Sequence, residues 1–100
     1  MSNLVFVRFF PKAGAEAKVQ AILENMVVNT RTEPGCTLYN LYETNGASGA
    51  KIFCLAERYE GDSALQAHRA ADYYKEYRAT IMDLLDDPIE VNILTAIDEN

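Results

Sequence analysis

The sequence predicts an α+β fold in which one antiparallel four-stranded sheet carries helices on one face. Segments with an apolar period of two alternate with segments of helical period in the order β, α, β, β, α, β. The chain has 100 residues, of which 49% are hydrophobic and 24% charged, and this is typical of one globular core. We therefore expect a single domain over residues 1–100, with its core at about 3–96.

The first two elements are a strand and a helix. Residues 4–10 read LVFVRFF and end at Pro11, which predicts a strand that is buried largely on both faces. Residues 15–30 predict an amphipathic helix because apolar side chains recur three and four positions apart: Val19, Ile22, Leu23, Met26 and Val27. The turn Glu33-Pro34-Gly35 ends this helix and leads into the next strand.

A hairpin follows the turn. Residues 36–43 alternate with a period of two, and residues 51–59 do the same, which predicts two strands. The loop between them, 44–50, contains an Asn-Gly step that favours a hairpin turn. Four side chains of the second strand share the face that should point toward the helices: Phe53, Leu55, Glu57 and Tyr59.

The last third of the chain predicts a broken helix and a final strand. Residues 61–63 (GDS) supply an N-cap side-chain oxygen for a helix that runs to about residue 71 and places Leu65, His68 and Arg69 on one face. A second helix is predicted over 73–85, with Tyr74, Tyr77 and Ile81 on its apolar side. A strand over 89–97 and a frayed acidic tail complete the chain.

This order of elements is the split βαβ plan of the ferredoxin-like sandwich. The helices cover one face of the sheet, and apolar residues remain on the other face. Such an uncovered apolar face is expected when two sheets pack against each other, so we expect a homodimer.

Charge and cysteine content exclude several classes of function. Fifteen acidic and nine basic residues give a net charge of -6, and the basic residues are spread singly, so we expect no nucleic-acid partner. No apolar run approaches the ~18 residues of a membrane span, and no signal peptide is evident, so we expect a cytoplasmic protein. Cys36 and Cys54 lie outside any metal-ligand pattern, so we expect free thiols and no metal site.

His68 and Glu57 are the candidate catalytic residues. His68 is the only histidine, and an imidazole, with an ordinary pKa of ~6.5, is a natural general base at neutral pH. Glu57 lies among apolar side chains, where a carboxylate must be paired or protonated, and it could support His68 or bind a substrate hydroxyl. The structural alternatives are a histidine bonded to a backbone carbonyl and a salt bridge from Glu57 to Arg8, Arg58 or Arg78.

The candidate substrate-binding residues are polar or aromatic side chains within the predicted sheet and helices. Six tyrosines combine an apolar body with a polar tip, which suits a hydroxylated aromatic substrate, whereas for any single tyrosine a place in the core is favoured. Asn40 and Asn92 lie inside strands and must find hydrogen-bond partners. Arg8 could pair with a carboxylate or attract an anionic substrate. The set is Tyr39, Tyr59, Tyr73, Asn40, Asn92 and Arg8.

Three sequence blocks resemble the antibiotic biosynthesis monooxygenase (ABM) domain family, whose members include quinol monooxygenases. The first is Glu33-Pro34-Gly35-Cys36 followed by a Tyr-containing strand, and the second is Phe53-x-Leu55-x-Glu57-x-Tyr59. The third is Asp62-x-Ala64-Leu65-x-x-His68, in which His68 matches the helix histidine of the family. Tyr59 stands where many members carry Trp, which disfavours haem degradation, and Tyr73 stands where many carry a second His.

The resemblance implies a dimeric α+β barrel with a pocket between sheet and helices in each protomer. It also implies oxygenation without a cofactor: an electron-rich phenol is deprotonated, and the substrate anion itself reduces molecular oxygen. The expected function is thus a cofactor-independent monooxygenase of a small hydroxylated aromatic or quinol. Two alternatives remain open, namely a proton-transfer isomerase of a small, phosphorylated hydroxyketone and a non-catalytic dimeric ligand-binding or stress-response barrel.

Overall fold

The computed structural model describes residues 3–100. In chain order the elements are β1 (Leu4–Phe9), α1 (Glu16–Thr30), β2 (Cys36–Asn45), β3 (Lys51–Tyr59), α2 (Asp62–Ala70), α3 (Asp72–Ile81) and β4 (Glu90–Leu94). The strands form one sheet in the order β2-β3-β1-β4, and every neighbouring pair is antiparallel. This architecture confirms the predicted α+β, ferredoxin-like sandwich.

The core lies between the helices and one face of the sheet, called here the inner face. On β1 the alternate residues Val5, Val7 and Phe9 are buried, as the period of two requires. Residues from β3, α1 and α3 complete the core: Phe53, Leu55, Val19, Leu23, Met26, Tyr77 and Ile81. Each large apolar side chain removed from water in this way contributes about 1.5–3 kcal/mol to stability.

The outer face of the sheet has no helix over it. The strand register aligns Phe6 with Ala56 and with Asn92, and Tyr42 with Cys54, all on this face. The prediction that residues 4–10 are buried largely on both faces is wrong, because alternate residues of β1 such as Phe6 and Arg8 are only half-buried. Tyr42 and Leu94 are exposed, so the outer face is partly apolar.

The end of the chain departs from the prediction in two places. The last strand ends at Leu94 and not at residue 97, because Leu94 pairs with Leu4, the first residue of β1. The last helix ends at Ile81 and is followed by the single 3-10 turn Met82–Leu84. There the backbone bonds from Lys12 to Leu84 and from Asp86 to Phe10 draw the chain onto the end of β1.

Two smaller predictions have opposite outcomes. The predicted N-cap of α2 is wrong: the cap position is Gly61, which has no side chain, and no side-chain oxygen bonds the first turn. The prediction of free thiols is confirmed, since Cys36 and Cys54 are both unbridged.

Among residues 3–100, no helix combines the length and apolar character that crossing a bilayer requires.

Candidate active site

A cavity of about 240 Å³ lies between the inner face of the sheet and helices α2 and α3. Its walls combine three valines, three tyrosines and four ionisable side chains: Val5, Val7, Val91, Tyr39, Tyr74, Tyr77, Glu57, His68, Arg69 and Arg78. Two larger depressions, of about 430 and 540 Å³, lie beside the helices and contain neither His68 nor Glu57. The smaller cavity is therefore the candidate site, because both predicted catalytic residues, His68 and Glu57, line it.

His68 is held rigidly at the wall of this cavity. Its side chain, on α2, is 2% exposed, and its Nδ1 lies 2.9 Å from Oε2 of Glu33 in the turn between α1 and β2. Four tyrosine rings surround the imidazole at centroid distances of 5.0 to 6.5 Å: Tyr39, Tyr59, Tyr73 and Tyr74. Packing and the hydrogen bond to the Glu33 carboxyl thus fix the orientation of the ring.

The Glu33 carboxylate determines which ring nitrogen of His68 can act as a base. An ionised carboxylate only accepts hydrogen bonds, so with Glu33 ionised the bond to Oε2 requires an imidazole that carries a proton on Nδ1. In the neutral form of that tautomer, Nε2 holds the lone pair and is the nitrogen left to take a proton from a ligand. A carboxylate that orients a histidine and stabilises its protonated form is the arrangement used in hydrolase triads.

Gly35 allows the Glu33 turn and helix α2 to approach closely. A Cβ atom at position 35 would lie 2.5 Å from the Cβ of Ala64 on α2, which is far inside van der Waals contact. Only glycine fits between them without moving the helix. The small residues at 35 and 64 therefore bring His68 within hydrogen-bonding distance of Glu33.

Glu57 is the second ionisable group of the site and is poised near neutral pH. Its carboxyl is buried at 6% exposure, and its Oε1 accepts a hydrogen bond from the Tyr59 hydroxyl at 2.6 Å. Desolvation raises the pKa of Glu57 from 4.5 to about 7, although the Tyr59 bond and the charge of Arg69 act in the opposite direction. At pH 7 this carboxyl can therefore either accept or donate a proton.

The buried tyrosines of the site are hydrogen-bond donors and not bases. Burial raises the pKa of Tyr39, Tyr59 and Tyr77 above the ordinary value of 10, and nearby charges such as that of Glu57 add to the effect. Their hydroxyl groups stay protonated at neutral pH. The rings supply apolar walls, and Tyr59 also holds the Glu57 carboxylate in place.

Two arginines add positive charge to the same cavity. Arg69 follows His68 on α2 and is exposed, whereas Arg78 lies on α3 and is half-buried. One Arg78 Nη atom donates to the Tyr74 hydroxyl at 3.1 Å. Within residues 3–100, neither guanidinium forms an ion pair with a carboxylate.

The structure brings together some of the sequence-predicted site residues. His68, Glu57 and Tyr39 line the cavity, and Tyr59 bonds Glu57 behind it. Tyr73 contacts the His68 ring edge-on but lines the two surface depressions instead.

The other three predicted residues lie on the outer face, apart from the cavity. Arg8 pairs with Glu90 at 3.4 Å, in agreement with the alternative that it pairs with a carboxylate, and Asn92 donates to the same Glu90. Asn40 accepts from Arg31 and donates to the Tyr42 hydroxyl.

Sequence reasoning missed three charged side chains that line or support the site. The carboxyl group bonded to His68 belongs to Glu33 and not to Glu57. Glu33 lies in a turn, where the sequence has no periodic pattern from which its position could be predicted. Arg69 and Arg78 could have been found, since Arg69 shares a helical face with His68 and Arg78 follows Tyr74 by one helical turn.

Within the described chain, no three His, Cys, Asp or Glu side chains cluster as metal ligands would.

Comparison with known proteins gives a consistent family signal. The family model described as antibiotic biosynthesis monooxygenase matches residues 4–80. The Mycobacterium tuberculosis protein named "Putative monooxygenase Rv0793" is 40% identical over 95 residues, which are 95% of this chain and 91% of that protein. The solved structure of Rv0793 superposes with a TM-score of 0.87 at 37% identity and covers 99% of this chain and 98% of its own.

A more distant solved structure shares the fold. The crystal structure of PA3566 from Pseudomonas aeruginosa superposes with a TM-score of 0.83 at 20% identity and covers 98% of this chain and 97% of that one. The sandwich of one sheet and three helices is thus retained where most of the sequence has changed.

Proposed function

Because the chain belongs to the antibiotic biosynthesis monooxygenase family, we propose that it is a monooxygenase that needs no cofactor and oxidises a small hydroxylated aromatic, such as a quinol. One observation carries the proposal: His68, oriented by Glu33, and Glu57, with a pKa of about 7, line one tyrosine-walled cavity. Two groups able to move protons at neutral pH thus lie beside a surface suited to an aromatic ring.

Substrate binding follows from the shape and lining of the cavity. Its volume of about 240 Å³ is below the ~300–1,000 Å³ of pockets for drug-sized ligands, which favours a single aromatic ring. Tyr39, Tyr74 and Tyr77 present rings that can pack edge-to-face or offset against it. The hydroxyl of the bound ring then faces Nε2 of His68 or the carboxyl of Glu57.

Deprotonation is the first chemical step. Nε2 of His68 accepts the proton of the substrate hydroxyl, and the Glu33 carboxylate stabilises the imidazolium that forms. The resulting phenolate is a far better electron donor than the neutral phenol. Glu57 serves as the second proton-transfer group, because its carboxyl is protonated in part of the molecules at pH 7.

Molecular oxygen is the oxidant, and the substrate is the only reductant. The phenolate transfers electrons to oxygen, and the two combine at a ring carbon. For a substrate RH₂ the overall reaction is RH₂ + O₂ → RO + H₂O. One oxygen atom forms a new C–O bond, the other leaves as water with the two hydrogens of the substrate, and the substrate supplies all four electrons.

Oxygen uptake tests the proposal. The protein, treated with a chelator, is mixed with a panel of quinols and polyphenols in an oxygen electrode, with a no-protein control for autoxidation. We expect uptake above autoxidation with at least one single-ring quinol, and its loss in His68→Gln. Uptake no faster than autoxidation across the panel would refute the oxygenase function.

The charges of the cavity favour one second candidate, a proton-transfer isomerase of a phosphorylated hydroxyketone. The same base would serve, and Arg69 and Arg78 could hold the phosphate. Oxygen dependence separates the two functions, because the isomerase turns over under anaerobic conditions and consumes no oxygen.

We further propose that the protein is a cytoplasmic homodimer built through the outer face of the sheet. Support comes from Phe6, Tyr42 and Leu94, which leave apolar surface on a face without a helix. The two unbridged cysteines suit a reducing compartment. Light scattering coupled to size exclusion should give twice the 11.2 kDa mass of one chain, and a mass of one chain at micromolar concentration would refute the dimer.

A further inference from the structure

The arginines of the protein fall into two groups. Arg8 and Arg58 form ion pairs with Glu90 and Glu99, and Arg31 donates to the Tyr39 carbonyl and to Asn40. Two further arginines, Arg69 and Arg78, form no ion pair within the described residues, and both line the candidate active site. Three guanidinium groups thus have no carboxylate partner within residues 3–100: that of Arg31 is bonded to strand β2, whereas those of Arg69 and Arg78 belong to residues that line the cavity.

The cavity collects two positive charges although the chain as a whole has a net charge of -6, which repels anions at long range. The carboxyl of Glu57 offsets part of the positive charge, since Arg69 acts on it electrostatically. Its pKa of about 7, however, leaves it partly neutral at pH 7. Two guanidinium groups therefore face at most one carboxylate, and the cavity retains positive charge for a ligand.

Guanidinium groups recognise planar anions with particular strength. Their fork of N–H donors matches a carboxylate, and they pack on aromatic faces as Arg78 does on Tyr74, with 6.0 Å from Cζ to the ring centroid. Arg78 is also held by its bond to the Tyr74 hydroxyl, so part of its side-chain freedom is already lost before a ligand binds.

From these contacts we propose that the substrate is a single-ring hydroxylated aromatic that carries a carboxylate, and that Arg69 and Arg78 bind this carboxylate while the hydroxyl faces His68. The inference rests on the proposed function for the reaction, and it adds the anionic group and the residues that select it. The tyrosine-lined wall holds the ring between the two polar ends. Neutral quinols then bind more weakly than their carboxylated analogues.

Calorimetric titration tests the anion preference directly, without turnover. Under anaerobic conditions, dihydroxybenzoate should bind at least tenfold more tightly than hydroquinone, which lacks the carboxylate. Arg69→Gln and Arg78→Gln should each weaken dihydroxybenzoate binding about tenfold and leave hydroquinone binding within twofold. The control Lys75→Gln removes one charge from an exposed position on α3 outside the cavity and should change neither ligand.

Several outcomes would overturn the inference. Equal affinity for the two ligands would mean that no anion site exists. An equal loss for both ligands in Arg69→Gln would show that this arginine acts only on Glu57. Tighter binding of hydroxyphenyl phosphate than of dihydroxybenzoate would replace the carboxylate by a phosphate ester. Far-UV circular dichroism of each variant verifies that the fold is retained.

Oxygen uptake distinguishes this inference from the proposed function. Arginine-dependent binding of dihydroxybenzoate, with no oxygen uptake above autoxidation for it or for any member of the quinol and polyphenol panel, would support the anion site and refute the monooxygenase. Uptake with hydroquinone as fast as with dihydroxybenzoate, and unchanged in both arginine variants, would support the monooxygenase and overturn the anion site.

Discussion

Replacing Glu57 by Gln should stabilise the protein at alkaline pH and remove part of its pH dependence. Glu57 is buried at 6% exposure, and its pKa is raised from 4.5 to about 7 by desolvation. The folded state therefore binds the proton more tightly than the unfolded chain. The stability that this provides is complete below pH 4.5 and is lost as pH rises through 7.

The magnitude follows from the two pKa values. A difference of one unit corresponds to ~1.4 kcal/mol, so ionising Glu57 costs the folded state about 3 kcal/mol at pH 8 relative to pH 4.5. Glutamine has nearly the shape of the protonated carboxyl and can accept the Tyr59 hydrogen bond through Oε1, yet it never ionises. The gain in unfolding free energy from Glu57→Gln should thus grow by about 3 kcal/mol between these pH values.

Urea unfolding followed by circular dichroism measures this difference. Both proteins are unfolded at four pH values from 4.5 to 8 and at one fixed protein concentration. Glu60→Gln, which removes an exposed carboxyl beside the same strand, is the matched control and should change stability by less than ~0.5 kcal/mol throughout. A Glu57→Gln gain that is constant across the pH range would refute the desolvation argument.

Four further changes test other parts of the site and fold. His68→Gln should lower kcat for quinol oxidation at least ~100-fold in oxygen-uptake assays with the circular dichroism spectrum unchanged, and a smaller loss would remove His68 as the base. Glu33→Gln should lower kcat about tenfold or more with KM unchanged, since it alters the support of the imidazolium and not the cavity; a change confined to KM would contradict this. Gly35→Ala should cost about 1–3 kcal/mol in urea unfolding, because its Cβ would meet Ala64 at 2.5 Å, and an unchanged midpoint would show that α2 shifts freely. Phe6→Glu should yield monomers in light scattering, and an intact dimer would place the interface elsewhere.

Much of the fold could be predicted because periodicity reports burial. The alternation Val5, Val7, Phe9 and the helical spacing Val19, Leu23, Met26 both lie on the buried faces. The hydrophobic period does not show at which residue a strand stops pairing with its neighbour. The last strand ends at Leu94 because its partner β1 begins at Leu4, which is a property of register and not of local sequence.

The site could be predicted in part for a related reason. Glu57 was recognisable because a carboxyl on an apolar strand face must be buried, and His68 because it is the only imidazole. The Glu33–His68 bond joins residues 35 positions apart through the approach of Gly35 to Ala64. Neither turn nor helix shows this contact by itself, and it arises only when the two elements pack.

Strand β4 forms one wall of the cavity, and this wall has a lower local stability than the others. All five of its side chains are exposed, and it pairs with β1 alone, whereas β3 is held between two strands and carries buried residues. Opening β4 therefore costs much less than unfolding the sheet and would uncover the cavity beside Val91. A second copy packed over Leu94 would raise that cost, so the rate at which small molecules enter would depend on assembly.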